Sequence, residues 1–500
     1  MQEKLKRLKT ILAEVSDLLS ATALLSWDQQ TYMPPGGVIA RGNQIATLSS
    51  LGHSKFVSEE VGRLLEDLKA YAESLDPESN DACLIEVTSR DYQKQTKVPS
   101  DYVAEFSRIT VVAHGAWEEA RKTDDFSHFQ PHLEKIVEMR RQYADFFAPY
   151  DHVYDPLLDD FEPGMKTAEV QEIFTDLRPK QVELIKAISD KPEVDDSFLH
   201  QPFDDQKQWD FGVQAITKYG YDWNRGRQDK AAHPFTTNFG IGDVRITTWV
   251  ESNFLNPALF GTLHEAGHAI YEQGVSKDLE RTPLAGGASL SIHESQSRMY
   301  ENLLGRSYDF WVYFYPKLQG VFSTELGNVN LDTFYKGINK VEPSLIRVEA
   351  DEVTYNMHVM LRLELEIVLM EGKLKVADLP SAWNERMVDY LGIVPPNDAD
   401  GVLQDVHWSR GILGYFPTYS LGNLVSNQLW EKINQDIPGL SSQIQVGDFN
   451  ELLAWLRENV HSHGSKFKPQ VLVNRIVGSG IKPEAYVKYL NDKFGAIYEL

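Results

Sequence analysis

Two histidines four residues apart with a glutamate beside the first, His264-Glu265-Ala-Gly-His268, are the residues of this chain best suited to do chemistry. On a helix, positions i and i+4 share a face, so the two imidazoles can offer nitrogens to one metal ion. Glu265 lies about a hundred degrees round the same helix, beside such an ion rather than on it, where a carboxylate can take a proton from water. The pattern alone does not decide. A surface helix can carry two polar residues at this spacing, so a third ligand and a scaffold are needed.

A catalytic zinc site takes three protein ligands and keeps one position open. In Ser289-Leu-Ser-Ile-His293-Glu294-Ser-Gln-Ser-Arg298, Glu294 stands 26 positions beyond His268 at the start of a further helix. It suits a carboxylate ligand delivered from a second helix, and His293 competes for the same place. A local use of Glu294 is also open: Ser291-x-x-Glu294 fits a capping box, and Arg298 lies one turn on. A metal-bound histidine donates its other N–H to a carboxylate or carbonyl. Asp243 and Asp351 are the candidates, and no choice between them follows from sequence. For attack on a peptide carbonyl the oxyanion needs a donor, and His233, His407 and Tyr419 stand near turns and aromatics. Holding a free C-terminal carboxylate calls for a guanidinium fork, for which Arg245, Arg347 and Arg410 are closest in sequence to the other candidates.

The elements that must position these residues read as helices. Around the motif, Asn256 is expected as N-cap, Pro257 at the first helical position and Gly274 as an αL C-cap. Leu5, Leu8, Ile11, Leu12, Val15, Leu18 and Leu19 make residues 2–26 an amphipathic helix, broken at Met33-Pro34-Pro35-Gly36-Gly37. Helical periodicity continues over 38–75, 80–96, 100–122 and 129–149, then 167–189 and 205–219. An aromatic and acidic loop spans 151–165, where capping and solvation explain Asp159, Asp160 and Glu162 better than a bound cation. One β region, 234–252, follows from the alternation of Val244, Ile246, Thr248 and Val250 after a Gly240–Asp243 turn, and its edge should run near the metal helix. Further helices are expected over 291–306, 308–324, 331–339, 425–435, 448–460 and 468–495. One long helix is expected over 344–371, and residues 390–424 read as an ordered loop lining something. The fold class is therefore mainly α.

Composition narrows the partners. Forty-nine Lys and Arg against 73 Asp and Glu give a net charge of −24, which disfavours a nucleic-acid backbone. A single cysteine, Cys83, rules out an intrachain disulfide framework and suits a reducing compartment. No signal-peptide core and no eighteen-residue apolar run occur, so neither a membrane nor a secretory route is expected, and a cytoplasmic location is.

Taken together, the motifs resemble a known family. His233-Pro-Phe, Asp243-Val-Arg245-Ile-Thr, His264-Glu265-Ala-Gly-His268, His293-Glu294-Ser-Gln, Ile346-Arg347-Val-Glu-Ala-Asp351 and Gly401-Val-Leu-Gln-Asp405-Val-His407-Trp stand in the order of the M32 metallocarboxypeptidases, the carboxypeptidase Taq group. Trp27-Asp-Gln and Met33-Pro are similar to that family's N-terminal region. The resemblance implies one peptidase domain over 1–500: a helical part, 1–150, over a long groove, and a catalytic part, 151–500, with a small sheet near the metal helix. It implies a homodimer and one zinc per chain, with cobalt as an alternative. Carried over residue by residue, it implies His264, His268 and Glu294 as ligands, Glu265 as general base and His407 as oxyanion stabiliser. Arg347, ahead of Arg245, is then expected at the substrate carboxylate. The expected function is release of single C-terminal residues from peptides by attack of a zinc-bound water. An oligopeptidase cutting internal bonds and an inactive peptide-binding scaffold are the alternatives.

Overall fold

The computed structural model describes residues 1–500 as a mainly helical chain with one three-stranded sheet. Contacts cluster in two compact units that interleave along the chain: residues 1–96, 195–338 and 429–476 form one, and 97–194, 339–428 and 477–500 the other. Residue 150 lies inside the second unit.

In the first unit the amphipathic N-terminal helix runs Gln2–Thr31, five residues past the expected end, because no breaker comes before Pro34. Leu5, Leu8, Ile11, Leu12 and Val15 face inward, whereas Leu19 is exposed. The expected helix over 38–75 is two, Val38–Phe56 and Glu59–Ala72, because Ser58 stops one and caps the other. These helices share one apolar cluster with Cys83 and with Val275, Leu279 and Leu284, which immediately follow the metal-motif helix. The motif helix is thereby anchored at its C-terminal end.

The sheet has the order β1(226–230)–β3(244–248)–β2(236–238), with β1 parallel and β2 antiparallel to β3. Strand β1, Gly-Arg-Gln-Asp-Lys, is polar throughout, so no apolar alternation announces it. Val244 and Ile246 are buried as expected, and β2 lies against the motif helix.

In the second unit the expected helix over 344–371 begins only at Tyr355. A 3₁₀ turn holds Arg347–Glu349, and Asp351 then accepts from the Val353 and Thr354 amides and the Glu342 amide, which ends the irregular stretch and starts the helix. Helix Tyr355–Met370 is buried nearly all round. His358, Arg362 and Glu366 form one polar stripe along it at i, i+4 and i+8. Arg362 reaches Asp405 and Gln404, while Glu366 accepts from Tyr154, Trp408 and the Gly414 amide. That stripe orders residues 404–414 within the expected 390–424 loop, the last part of which is instead the start of helix Pro417–Asp436. In the 151–165 segment Asp159 closes the turn to Gly164 and Asp160 pairs with Arg140 and Tyr143, both structural uses. Residues 468–495 divide into Pro469–Val477 and Glu484–Tyr498 around Gly478 and Pro483.

Candidate metal centre

The motif lies on helix Asn256–Gly274. Two of its expected caps are corrected. Asn256 is already helical, with its side-chain oxygen buried and unpartnered, and Gly274 is no αL cap; the cap is Val275 at φ −59°. Gly274 is glycine for contact instead, since a Cβ there would stand 2.5 Å from His461 Nδ1. Gly267, inside the motif, does more. Its added Cβ would lie 2.6 Å from Ser297 Cα and 2.7 Å from the Gln296 carbonyl oxygen, so helix Leu290–Arg298 crosses the motif at backbone distance. That second helix is capped by Ser289, which accepts from the Ile292 amide, so the alternative Ser291 box is not formed.

The close crossing delivers Glu294. Its Oε2 lies 3.6 Å from His264 Nε2 and 3.5 Å from His268 Nε2, and the three donor atoms are within 4.8 Å of one another. Bonds of about 2.0–2.1 Å in a tetrahedron put ligand atoms about 3.3 Å apart, so this set fits one small cation. Glu294 keeps its local partners too: Arg298 Nε donates to Oε1 at 2.7 Å and the Ser297 hydroxyl lies 3.1 Å from Oε2, which keeps a lone pair that could meet an ion. His293 does not join the donor set. Its Nδ1 lies 2.8 Å from His268 Nδ1, behind that imidazole.

The outer nitrogens suit neutral imidazoles facing a cation. His264 Nδ1 lies 2.8 Å from Glu301 Oε2 and donates to it, so its Nε2 carries the lone pair. Glu301 comes from a π-helical segment, Met299–Leu304. Burial alone would raise its carboxyl, but Arg298 and His264 hold it down at about 2. Burial likewise pulls His264 down, yet Glu294 and Glu301 outweigh it and leave it above its ordinary value. Burial, with cationic neighbours, holds His268 well below. Glu265 is 7% exposed, and burial pushes its carboxyl up. The Thr236 hydroxyl, from β2, lies 2.6 Å from its Oε2 and 2.9 Å from its main-chain oxygen.

Asp243 and Asp351 do not take the histidines' outer N–H groups. Asp243 accepts both arms of Arg245, two residues on along β3, and Asp351 spends its carboxylate on the helix start described above. The partners are Glu301 and, through His293, Glu272. Arg245 also stacks on Trp27 and Phe239. His233 is exposed between β1 and β2.

The second unit holds the other candidates. Arg347 is 5% exposed, gives Nε and Nη2 to Asp405 and Nη1 to Tyr355, and lies over the Phe416 and Tyr419 rings. Arg362 shares Asp405, so two guanidinium groups meet one carboxylate. Together they hold Asp405 well below its usual range although burial opposes them. His407 Nδ1 lies 3.5 Å from Asp405, and burial lowers that ring. Arg410 is exposed and carries no ion pair, and Tyr419 is half-buried against Tyr355 and Tyr415.

Comparison with known proteins agrees with this chemistry. The family described as carboxypeptidase Taq (M32) metallopeptidase matches residues 7–494. Thermostable carboxypeptidase 1 of Thermus thermophilus is 41% identical over 495 residues, 97% of each chain. Carboxypeptidase 1 of Bacillus subtilis is 37% identical, over 98% of each. The crystal structure of an M32 carboxypeptidase from Deinococcus radiodurans superposes with a TM-score of 0.97 at 39% identity over the whole of both chains. Metallocarboxypeptidase 1 of Trypanosoma cruzi gives 0.94 at 32%, covering 99% of this chain and 100% of that one. No helix here is long and apolar enough to cross a membrane. The likeness runs through both units, and the chain belongs to the M32 family of metallopeptidases, as a metallocarboxypeptidase.

Proposed function

We propose that this chain releases single residues from peptide C-termini, with one zinc ion held by His264, His268 and Glu294 and with Glu265 as general base; cobalt would serve in its place. The observation that carries the reading is the convergence of Glu294 Oε2 on two Nε2 lone pairs beside a buried carboxylate. When bound, the ion supplies Lewis acidity, polarising the scissile carbonyl and lowering the pKa of water.

The remaining work falls to side chains. Thr236 fixes Oε2 of Glu265, which leaves Oε1 to take a proton from water and return it to the departing amine. His407 is assigned to the oxyanion. Arg347 is assigned to the substrate carboxylate. Asp405 orients its fork, and Arg347 and Arg362 against Asp405 leave one positive charge over in a buried cluster, which favours an anion. Arg245, Arg410, His233 and Tyr419 are assigned to the substrate side. The match over residues 7–494 supports one peptidase domain over the full chain. A homodimer belongs to the same reading, and light scattering in solution tests it.

The nearest rival is an oligopeptidase with the same chemistry. An N-blocked dipeptide and its C-terminal amide separate the two. The proposal expects the free acid to be cleaved and the amide to be nearly inert, with the preference lost in Arg347→Ala. Equal cleavage of both substrates by the unaltered protein refutes it.

A further inference from the structure

The two metal histidines are backed differently. Glu301 accepts directly from His264, whereas His268 meets a second imidazole, with the two Nδ1 atoms 2.8 Å apart. Two Nδ1 atoms bond only if one carries the proton, and the far end of the chain decides which. His293 Nε2 lies 2.5 Å from Glu272 Oε1. A carboxylate accepts, so the one proton of a neutral His293 sits on Nε2. Its Nδ1 is then an acceptor, His268 must donate from Nδ1, and Nε2 of His268 is left as a lone pair toward the metal position. The other oxygen of Glu272, Oε2, accepts from Asn238 Nδ2 at 2.6 Å, so strand β2 fixes the far end. His293 is closely packed. The Tyr271 ring lies 5.0 Å from it, and a Cβ on Gly287 would stand 2.5 Å from its Cδ2.

We propose that Asn238, Glu272 and His293 form a one-way hydrogen-bond relay whose task is to keep His268 in its metal-binding tautomer. All three are positioning residues. The inference rests on the reading of His264, His268 and Glu294 as the metal ligands. It makes an unusual demand on an isosteric substitution. In Glu272→Gln the carbonyl oxygen still serves Asn238, so the amide NH₂ faces His293. His293 must then accept at Nε2 and carry its proton on Nδ1, which forces the His268 proton onto Nε2, where it blocks the ligand position. Exchanging the pair repairs this. When Asn238→Asp is combined with Glu272→Gln, the new strand carboxylate accepts from the amide NH₂, and the amide oxygen turns to His293.

The test measures Zn²⁺ affinity of the metal-free full-length protein by chelator competition, with thermal unfolding of the same metal-free samples alongside. Glu272→Gln should bind Zn²⁺ about 10–100-fold more weakly. The double variant should recover to within about threefold of the unaltered protein, with metal-free melting unchanged throughout. Mere loss of packing would not be repaired by the exchange. Wild-type affinity in Glu272→Gln, or a double variant as weak as the single one, overturns the relay. Should Glu272→Gln fail to fold, His293→Asn, whose Oδ1 takes the place of Nδ1, should outbind His293→Ala, and equal affinities overturn it. His264→Ala separates the two levels. Zn²⁺ retained at full affinity there refutes the metal site itself, whereas loss there with Glu272→Gln unaffected refutes only the relay.

Discussion

Replacing Gly267 by alanine should damage the metal site through helix spacing, and the structure sets the size of the effect. The new Cβ would stand 2.6 Å from Ser297 Cα, 2.7 Å from the Gln296 carbonyl oxygen and 3.0 Å from its carbon. These are main-chain atoms and cannot swing aside, so the two helices must part by roughly 0.8 Å to reach ordinary contact. Overpacking of this kind costs about 1–3 kcal/mol. Alanine regains about 1 kcal/mol of helix propensity over glycine, so the net effect is destabilising by up to about 2 kcal/mol. Metal sites tolerate only about 0.2 Å of ligand displacement, and Glu294 rides on the helix that moves. Zn²⁺ affinity should therefore fall at least about tenfold. Gly261 on the same helix is the control. Its Cβ would meet only Pro234 Cγ, at 3.7 Å, so Gly261→Ala should gain stability, by up to about 1 kcal/mol, and bind metal normally. Melting temperatures and chelator competition read both variants. If Gly267→Ala melts above the unaltered protein and binds Zn²⁺ equally well, backbone-level packing does not set the site.

Two further outcomes follow from named contacts. Thr236→Val keeps the shape of β2 but removes the hydroxyl on Glu265, and should lower kcat roughly tenfold with metal content unchanged; full activity would show that the contact is idle. In the second unit, burial pushes the Glu366 carboxyl up to about 7 although Tyr154, Gly414 and Trp408 donate to it. A carboxyl raised on folding binds more protons in the folded chain between its ordinary value near 4.5 and about 7. Stability from this group is therefore complete below that window and lost as pH rises through it. The melting temperature of Glu366→Gln, taken relative to the unaltered protein, should rise between about pH 5 and about pH 7; a constant difference would refute the assignment.

Short-range spacing made much of this molecule legible. The i, i+4 histidines and the early-helix position of Glu294 depend only on local periodicity, and both hold. Local signals with two uses misled. Gly274 serves packing against His461 rather than a cap, and the helix expected from 344 overlooks the Asp351 start signal. The partners of the histidines were half-visible. Glu294, Arg298 and Glu301 repeat at helical spacing on one face, and Glu272 follows His268 by one turn. Which carboxylate meets which nitrogen is set by the crossing of two helices and by a π-helical turn, and no local pattern encodes either. Asp243, just before β3, and Arg245, two residues on, pair with each other, a period-two spacing open to reading in the sequence. The interleaving of three segments into each unit is a long-range property and left no mark on composition.

The central claim is that Glu265 moves the proton while His264, His268 and Glu294 hold the ion. Glu265→Gln tests it in one preparation, by elemental analysis alongside hydrolysis of an N-blocked dipeptide. The account predicts one zinc per chain, as in the unaltered protein, with hydrolysis lost by several orders of magnitude. A Glu265→Gln protein that keeps both its zinc and its activity would contradict it.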